Sequence, residues 1–124
     1  MDVANKQQVS QVIRTFNPQI IVHLAAKTSV PWCENNVKEA LAHNTFATQY
    51  VSDVASPDTT IIFASSSMSC TSFNVYGRTK FLSEQILRRS RSRIIRFFNI
   101  VPSEKFLVDR WSKTLDKDPI IVPE

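Results

Sequence analysis

Residues 60–80 read TIIFASSSMSCTSFNVYGRTK, and this stretch decides the fold of the chain. It begins with the apolar, β-branched run Ile61-Ile62-Phe63, which is typical of a buried parallel strand. A serine-rich segment follows, and a helical pattern begins near Asn74. Because a strand, a loop and a helix in this order form the first part of a β-α-β unit, the stretch predicts a parallel sheet.

Three side chains in this stretch have the residue types that proton transfer needs: Ser66, Tyr76 and Lys80. Ser66 follows the apolar run of the strand, and ligands of open α/β sheets bind at the carboxyl ends of strands. Tyr76 and Lys80 are four residues apart, so they share one face of the predicted helix. A neighbouring ammonium group favours the phenolate, so we expect Lys80 to lower the pKa of Tyr76. The set suits proton transfer coupled to hydride transfer at a sugar or alcohol carbon.

The rest of the chain continues the alternation of helices and strands. The predicted helices are an opening helix that ends before Asn17-Pro18, then Asn35 to about Ala55, Asn74 to about Arg89, and Lys105 to Leu115. The predicted strands are Gln19 to Leu24, Thr60 to Ala64, Arg93 to Phe98 and Ile120 to Val122. This order, without hairpin signals, predicts an α/β fold with a parallel sheet, right-handed crossovers and helices on both faces.

Gly77 is the only glycine in the chain. A dinucleotide-binding fold holds the pyrophosphate with a glycine-rich turn after its first strand, because only glycine permits that approach of the backbone. Such a turn cannot be formed by this sequence. The sequence therefore predicts the residues for proton transfer but lacks the turn that would bind the phosphates of a dinucleotide.

Composition indicates one globular domain or a piece of one. Of the 124 residues, 43% are hydrophobic and 21% are charged, which argues against disorder. No apolar run approaches the roughly 18 residues of a membrane span and the first residues do not form a signal peptide, so we expect a cytoplasmic protein without a membrane partner. Cys33 and Cys70 are too few for a disulfide framework and are interpreted as reduced thiols.

Much of the formal charge of +4 comes from one cluster: Arg88, Arg89, Arg91, Arg93 and Arg96. Clustered positive charge can bind the phosphates of nucleic acid. The cluster begins at the end of a predicted helix, where positive charge complements the helix dipole, and no aromatic residues are interleaved for base stacking. We therefore interpret it as solvated surface and expect no nucleic-acid partner.

His23 lies within a predicted buried strand among apolar neighbours. At such a position a histidine is more often hydrogen-bonded in the core than a ligand. No group of His, Cys, Asp and Glu has the spacing of metal ligands, so no metal site is predicted.

Four blocks of the sequence together resemble the extended short-chain dehydrogenase/reductase family, and within it the nucleotide-sugar enzymes of the CapD-like polysaccharide biosynthesis group. The first block is PQIIVHLAA at 18–26, and the second consists of Val30-Pro31, Glu34-Asn35-Asn36 and Asn44-Thr45. The third block is NVYGRTK at 74–80, and the fourth is RFFNIV at 96–101. The third block matches the YxxxK helix of the family. Ser66 precedes Tyr76 by ten residues, which is the short spacing of the CapD-like group.

The resemblance implies a role for individual residues. Tyr76 would be the acid/base, Lys80 would bind the ribose and tune Tyr76, and Ser66 would contact the substrate hydroxyl. The implied cofactor is NAD or NADP and the implied substrate is a nucleotide sugar. The further residues implied at the cofactor are Asp2, Ala25, Ala26, Asn99 and Ile100, and those implied at the substrate are Ser67 and Asn99.

Against the family pattern, the chain is expected to be truncated at both ends. Roughly the first 60 residues of the pattern, with the glycine-rich turn, and the carboxyl-terminal sugar lobe have no counterpart. The expected fold is thus one partial Rossmann-like domain over residues 1–124, part of a doubly wound parallel sheet. The strand from Gln19 to Leu24 would form an exposed apolar edge, so we expect self-association or a partner chain on that side.

The reaction type stays open among epimerase, reductase and dehydratase. The 4,6-dehydratases of the group carry Asp-Lys after the catalytic Thr, whereas this chain has Ser67 and Met68. An epimerase or a ketoreductase fits better, because either needs only the Ser, Tyr and Lys. The alternative from another class is a non-catalytic α/β scaffold that pairs with a partner chain. Cofactor binding distinguishes the two, since only the enzyme requires NAD(H).

Overall fold

The computed structural model describes residues 1–98, which form a three-stranded parallel sheet packed against helices. The helices are α1 (Lys6–Phe16), α2 (Val30–Asn35), α3 (Val37–Ala40), α4 (Ala47–Val54) and α5 (Val75–Leu87). The strands are β1 (Ile20–His23), β2 (Thr60–Ser66) and β3 (Ser92–Phe97). The predicted helix Lys105 to Leu115 and the predicted strand Ile120 to Val122 lie outside the described residues.

The strands lie side by side in sequence order, and β2 is in the centre. Both neighbouring pairs are parallel, with Ile21 opposite Ile61 and Phe63 opposite Ile94. This confirms the predicted parallel sheet for the three strands within residues 1–98. Because all three strands run in one direction, their carboxyl ends meet at one edge, where polar side chains can converge.

The described helices cover one face of the sheet only. Alternate residues of β2, namely Ile61, Phe63 and Ser65, are buried, while the residues between them are partly exposed. The buried core joins this face to three helices and consists of Val9, Ile13, Val51, Ile61, Phe63 and Leu87. Helices were predicted on both faces; residues 1–98 supply those of one face, and the predicted helix Lys105 to Leu115 lies outside the described residues. Strands added in sequence order through right-handed crossovers place their connecting helices on the same side, so residues 1–98 leave the other face open.

The open face carries exposed apolar side chains. On and directly after β1, Ile20, Val22 and Leu24 are 59%, 57% and 65% exposed, and on β3 the side chains of Ile95 and Phe97 are also exposed. Within residues 1–98, β1 pairs with β2 alone. The predicted exposed apolar edge strand is therefore confirmed. No helix among residues 1–98 is long and apolar enough to cross a membrane.

The ends of α1 follow the sequence signals. The side chain of Asn5 accepts hydrogen bonds from the backbone N–H groups of Gln7 and Gln8 at 3.0 and 3.1 Å. Asn17 ends the helix in the left-handed conformation, with φ of 40°, and its N–H donates to the Ile13 carbonyl at 2.9 Å. Asparagine tolerates this conformation better than most residues, which explains the stop at Asn17-Pro18.

The long second helix differs from the prediction in its middle. The helix predicted from Asn35 to about Ala55 consists of α3, a π-helical segment (Leu41–Phe46) and α4, which follow each other without interruption. The short helix α2 precedes it and was not predicted. A π-helical turn accommodates an extra residue and is often found at functional sites. Here it contains the buried side chains of Asn44 and Thr45.

Candidate active site

A cleft of about 590 Å³ opens at the carboxyl end of the sheet. It is lined by the three residues predicted for proton transfer, Ser66, Tyr76 and Lys80. The other lining residues are mainly apolar or small and include Leu24, Ala26, Ala64, Met68, Phe97 and Phe98. A cleft with apolar walls and a few convergent polar groups is the usual form of a small-molecule site.

Ser66 is the last residue of β2, so the strand itself delivers it to the cleft. Its hydroxyl oxygen accepts a hydrogen bond from the backbone N–H of Met68 at 3.2 Å. Its carbonyl oxygen lies 2.7 Å from the Ser69 hydroxyl oxygen. These contacts fold the serine-rich segment into a short 3₁₀ turn (Ser67–Ser69) directly after the strand.

The first turn of α5 presents Tyr76 to the same cleft, and two contacts fix this turn. The side chain of Asn74 accepts a hydrogen bond from the Gly77 N–H at 2.7 Å, which caps the helix. The carboxylate of Glu34 accepts one from the Val75 N–H at 2.7 Å, which joins the end of α2 to the start of α5. A carboxylate at a helix N-terminus is also favoured by the helix dipole.

Gly77 allows α5 to pack closely on the turn that follows Ser66. A Cβ atom at position 77 would lie 2.5 Å from the Met68 carbonyl oxygen, which belongs to the backbone and has little freedom to move. The only glycine of the chain therefore serves the contact between the Tyr76 helix and the Ser66 turn. Its role is the close approach of two backbones, since its own φ is not positive.

The pKa of Tyr76 is raised, which corrects the prediction that Lys80 lowers it. Burial of the phenol raises the pKa, while the neighbouring Ser66 hydroxyl acts in the opposite direction. Within residues 1–98, no hydrogen bond joins the Lys80 ammonium to the phenol, because that ammonium lies over the Phe63 ring, with Nζ 4.1 Å from the ring centroid. The spacing of four residues places both side chains at one cleft without bringing the two polar groups into contact.

Lys80 is 3% exposed, which is unusual for a lysine. Burial lowers its pKa to about 8, and the carboxylate of Glu84, one turn further along α5, acts against this effect. The ammonium therefore titrates closer to neutral pH than an ordinary lysine does. A lysine with this property can change its charge during a proton-transfer reaction.

Glu84 is a site residue that the sequence interpretation missed. Its carboxylate is 2% exposed and receives Arg96 Nη2 at 2.6 Å and Arg96 Nε at 3.0 Å. The hydroxyls of Ser65 and Ser69 lie 2.5 and 2.8 Å from Glu84 Oε1. Burial alone would raise the pKa of Glu84, but these hydrogen bonds outweigh it and hold the pKa at about 2.

Arg96 thus differs from the interpretation of the arginine cluster as solvated surface. It lies on the helix-covered side of β3, and its hydrogen bonds with Glu84 raise its pKa. A signal for Glu84 was present in the sequence, because Glu84 follows Lys80 by four residues and shares its helix face. Its partners on β2 and β3 could not be found from that spacing.

Asn44 connects the loop after β1 to α5. Its side-chain oxygen accepts from the Lys27 N–H at 2.8 Å, and its Nδ2 donates to the Lys27 carbonyl at 3.0 Å and to the Thr79 hydroxyl at 3.0 Å. Asn44 belongs to a sequence block that resembles the family, but its role does not follow from that resemblance. It fixes the loop that follows Ala26 relative to the Lys80 helix.

His23 is a core residue, as predicted. Its Nε2 lies 3.1 Å from the Thr48 hydroxyl, and its ring packs against Phe63 with 5.6 Å between the ring centroids. Burial lowers the pKa of His23 to about 4, and the charge of Lys80 lowers it further in the same direction. No group of three or more His, Cys, Asp or Glu residues that could hold a metal ion occurs within residues 1–98.

The remaining predicted residues fall in different places. Ala26 lines the cleft, whereas Ala25 lines a separate apolar cavity of about 300 Å³ between α1 and β1. Ser67 begins the 3₁₀ turn and does not line the cleft. Asp2 lies before α1, where its carboxylate accepts from the Ala4 N–H at 3.0 Å, and it does not line the cleft. Asn99 and Ile100 lie outside the described residues.

A family model described as polysaccharide biosynthesis protein matches residues 1–123. The chain is 27% identical over 124 residues to the probable polysaccharide biosynthesis protein EpsC of Bacillus subtilis, a match that covers 94% of the chain and 21% of EpsC. It is 26% identical over 127 residues to an inverting UDP-N-acetylglucosamine 4,6-dehydratase of Campylobacter jejuni, covering 94% of the chain and 37% of that enzyme. The chain thus spans between a fifth and two fifths of the length of these relatives.

The fold is shared with solved structures. The crystal structure of dTDP-4-dehydrorhamnose reductase from Bacillus anthracis, which is in complex with NADP, superposes with a TM-score of 0.82. The match covers 95% of this chain and 48% of the reductase, at 20% sequence identity. At this identity the likeness shows the fold, and it shows that the chain corresponds to part of a Rossmann-like domain.

Proposed function

Because the chain belongs to the polysaccharide biosynthesis protein family, we propose that it carries the proton-transfer segment of an NAD(P)-dependent nucleotide-sugar enzyme. The observation that supports this most is the convergence of Ser66, Tyr76 and Lys80 on one cleft at the carboxyl end of the sheet. These residues come from a strand end and from two successive turns of a helix. Their convergence gives a hydroxyl, a phenol and an ammonium around one small space.

Tyr76 is the proposed acid/base. Oxidation of a sugar hydroxyl removes a hydride from carbon and a proton from oxygen, and NAD(P) supplies the hydride acceptor when it is bound. Tyr76 would act as the phenolate, which takes the proton from the sugar oxygen and becomes the phenol, and the phenol returns this proton when the carbonyl is reduced again. Ser66 donates a hydrogen bond to the same sugar oxygen and orients it.

Lys80 is proposed to contact the ribose of the cofactor and to stabilise the Tyr76 phenolate. The residues present fit this role, since within residues 1–98 no acceptor receives a hydrogen bond from the Lys80 ammonium, although the side chain lines the cleft. Ala26 has a small side chain beside the same space, which permits close approach of a ligand. A buried ammonium of lowered pKa also stabilises a neighbouring anion strongly, because few waters screen it.

Epimerase or ketoreductase chemistry is the reaction type that we propose. A 4,6-dehydratase needs further acid/base groups beside the tyrosine, whereas the positions after Ser66 are Ser67 and Met68. Neither side chain supplies a carboxylate or an ammonium at neutral pH. Two of the relatives are named as inverting UDP-N-acetylglucosamine 4,6-dehydratases, and one is named as a dTDP-4-dehydrorhamnose reductase.

The test uses a fusion in which this chain replaces the matching segment of a related nucleotide-sugar enzyme. Lys80→Met should lower the rate and weaken binding of NAD(H), because the ammonium serves both the phenol and the ribose. Ser66→Ala should lower the rate and leave NAD(H) affinity nearly unchanged, because its hydroxyl contacts substrate only. Calorimetry with NAD(H) and steady-state rates separate the two. Equal effects of both substitutions on NAD(H) affinity would contradict the assignment.

The chain alone is expected to bind NAD(H) or NADP(H) with a Kd of roughly millimolar or weaker. The reason is that the glycine-rich turn, which brings backbone N–H groups to the pyrophosphate, has no counterpart in the sequence. Calorimetric titration of the chain with either cofactor measures this. Micromolar affinity would mean that other residues bind the phosphates.

A non-catalytic scaffold is the second candidate, and the open sheet face favours it. Ile20, Val22 and Leu24 present an apolar surface that a partner chain could cover. A scaffold needs no cofactor. Absence of NAD(H) binding both in the chain and in an otherwise intact fusion would therefore favour the scaffold over the enzyme.

A further inference from the structure

The buried carboxylate of Glu84 joins four elements of the fold. It is carried by α5, and it receives hydrogen bonds from Ser65 at the end of β2, from Ser69 in the 3₁₀ turn and from Arg96 on β3. Arg96 contacts both carboxylate oxygens, at 3.0 and 2.6 Å. Such two-point pairing fixes orientation as well as distance.

Two of these contacts hold the residues on either side of Ser66. Ser65 precedes it, and the Ser69 hydroxyl lies within hydrogen-bond distance of both the Ser66 carbonyl oxygen, at 2.7 Å, and Glu84 Oε1, at 2.8 Å. Glu84 therefore contacts the chain on both sides of Ser66, at Ser65 and at Ser69. The direction in which the Ser66 hydroxyl points into the cleft depends on this turn.

Glu84 also lies one helical turn from Lys80, and both side chains are buried. Within residues 1–98, the titratable groups near Lys80 are Tyr76 and Glu84 on its own helix and His23 on β1, and Arg96 on β3 is paired with Glu84. Of these, only Glu84 is an anion at neutral pH. Its charge opposes the effect of burial on the Lys80 ammonium.

We propose that Glu84 is a positioning residue of the cleft: its carboxylate fixes the serine turn that carries Ser66 and keeps the Lys80 ammonium protonated. The inference rests on the proposed function for its meaning in catalysis. Its two physical effects, on the turn and on the ammonium, are properties of the chain itself. Both can therefore be measured without cofactor or substrate.

The test compares Glu84→Gln with the wild-type chain by NMR titration of the lysine side-chain amines, with Lys80 assigned from a Lys80→Arg sample. Removing the carboxylate should lower the pKa of Lys80 below its wild-type value of about 8. Merely loosening the site would let water reach the ammonium and would raise that pKa instead. A raised or unchanged Lys80 pKa in Glu84→Gln overturns the electrostatic part of the proposal.

Glu39→Gln is the matched control, because Glu39 is an exposed glutamate on α3 and the net charge changes equally. It should leave the titration of Lys80 unchanged. A similar shift in both variants would mean that net charge alone sets the pKa of Lys80, which also overturns the proposal.

Hydrogen exchange tests the positioning of the turn and remains available if Glu84→Gln does not fold. Arg96→Gln removes the two-point hydrogen bond that orients the carboxylate, and it replaces a side chain that is 46% exposed, so the chain should still fold. Exchange of the backbone N–H groups of Met68, Cys70 and Ser72, which are bonded within the turn, should accelerate about tenfold or more. Unchanged exchange there, with the helix N–H groups of α1 as reference, would show that Glu84 and Arg96 do not position the turn. Activity of the fusion is a separate measurement, so loss of the proposed function leaves these results interpretable.

Discussion

The cleft at the carboxyl end of the sheet and the open apolar face belong to the same three strands. Residues 1–98 bury and pair the polar groups at the cleft, but they leave the apolar side chains of the open face exposed. At the cleft, Lys80 is 3% exposed, and Glu84, which lies one helical turn from Lys80, pairs with three residues of other elements. On the open face, Ile20 and Val22 are more than half exposed. The comparison shows that residues 1–98 hold their own polar groups in place at the cleft, whereas their other sheet face exposes apolar side chains.

The largest effect that tests the cleft is expected for Tyr76→Phe in the active fusion. The substitution removes the group proposed to exchange the substrate proton, and loss of a general acid/base typically costs about 10²-fold to 10⁴-fold in rate. Steady-state kinetics at saturating NAD(H) measure it. Tyr50→Phe is the matched control, because Tyr50 packs against the core and does not line the cleft. An active fusion whose rate does not change with Tyr76→Phe would show that the Ser, Tyr and Lys set has no catalytic role.

His23 lies on β1, and its side chain points to the helix-covered face of the sheet. Its pKa therefore reports how well the helices exclude water from that face. Its pKa is lowered from 6.5 to about 4, so the unfolded chain binds more protons than the folded chain between these two values. The free energy of unfolding should therefore fall as pH decreases from 6.5 to about 4. The fall should be of the order of 3 kcal/mol.

Urea unfolding at several pH values measures this dependence. His23→Gln keeps a group that can bond the Thr48 hydroxyl but does not titrate, so most of the fall in this range should disappear. His43→Gln is the control, since His43 is partly exposed and has no buried partner on β1. The same pH dependence in both variants would mean that His23 is not the group responsible.

Gly77→Ala tests how tightly α5 is held against the turn that carries Ser66. Alanine is favoured over glycine in a helix by about 1 kcal/mol, so an unconstrained site would be stabilised. Here the new Cβ would meet the Met68 carbonyl oxygen at 2.5 Å, and overpacking of this kind typically costs about 1–3 kcal/mol. We expect net destabilisation in urea unfolding. Thr15→Ala, at an exposed position of α1, is the control that reports the effect of helix propensity alone. A stabilised Gly77→Ala variant would mean that the turn after Ser66 can move away from the new Cβ atom at little cost.

Sequence alone predicted most of the sheet and the residues of the cleft, because both depend on local patterns. The β-branched runs predicted β1, β2 and β3, and the spacing of Tyr76 and Lys80 predicted their common cleft. The pKa of Tyr76 could not be predicted, because the position of the Lys80 ammonium depends on Phe63, a residue of another element. For the same reason the partners of Glu84 were missed, since Ser65 and Arg96 meet it only after β2 and β3 have paired.

The open face gives the smallest expected effect and tests the other half of the comparison. Self-association through this face would bury Val22, which is 57% exposed. Burial of a valine side chain contributes about 1.5 kcal/mol when complete, so the 57% of Val22 that is exposed corresponds to about 0.9 kcal/mol. Val22→Lys removes this contribution, so the dissociation constant should rise about fourfold for each copy that carries the substitution. Sedimentation over a range of protein concentrations measures it. Val37→Lys is the matched control, because Val37 is 43% exposed on α3, away from the open face. A strictly monomeric chain at high concentration would contradict self-association through the open face.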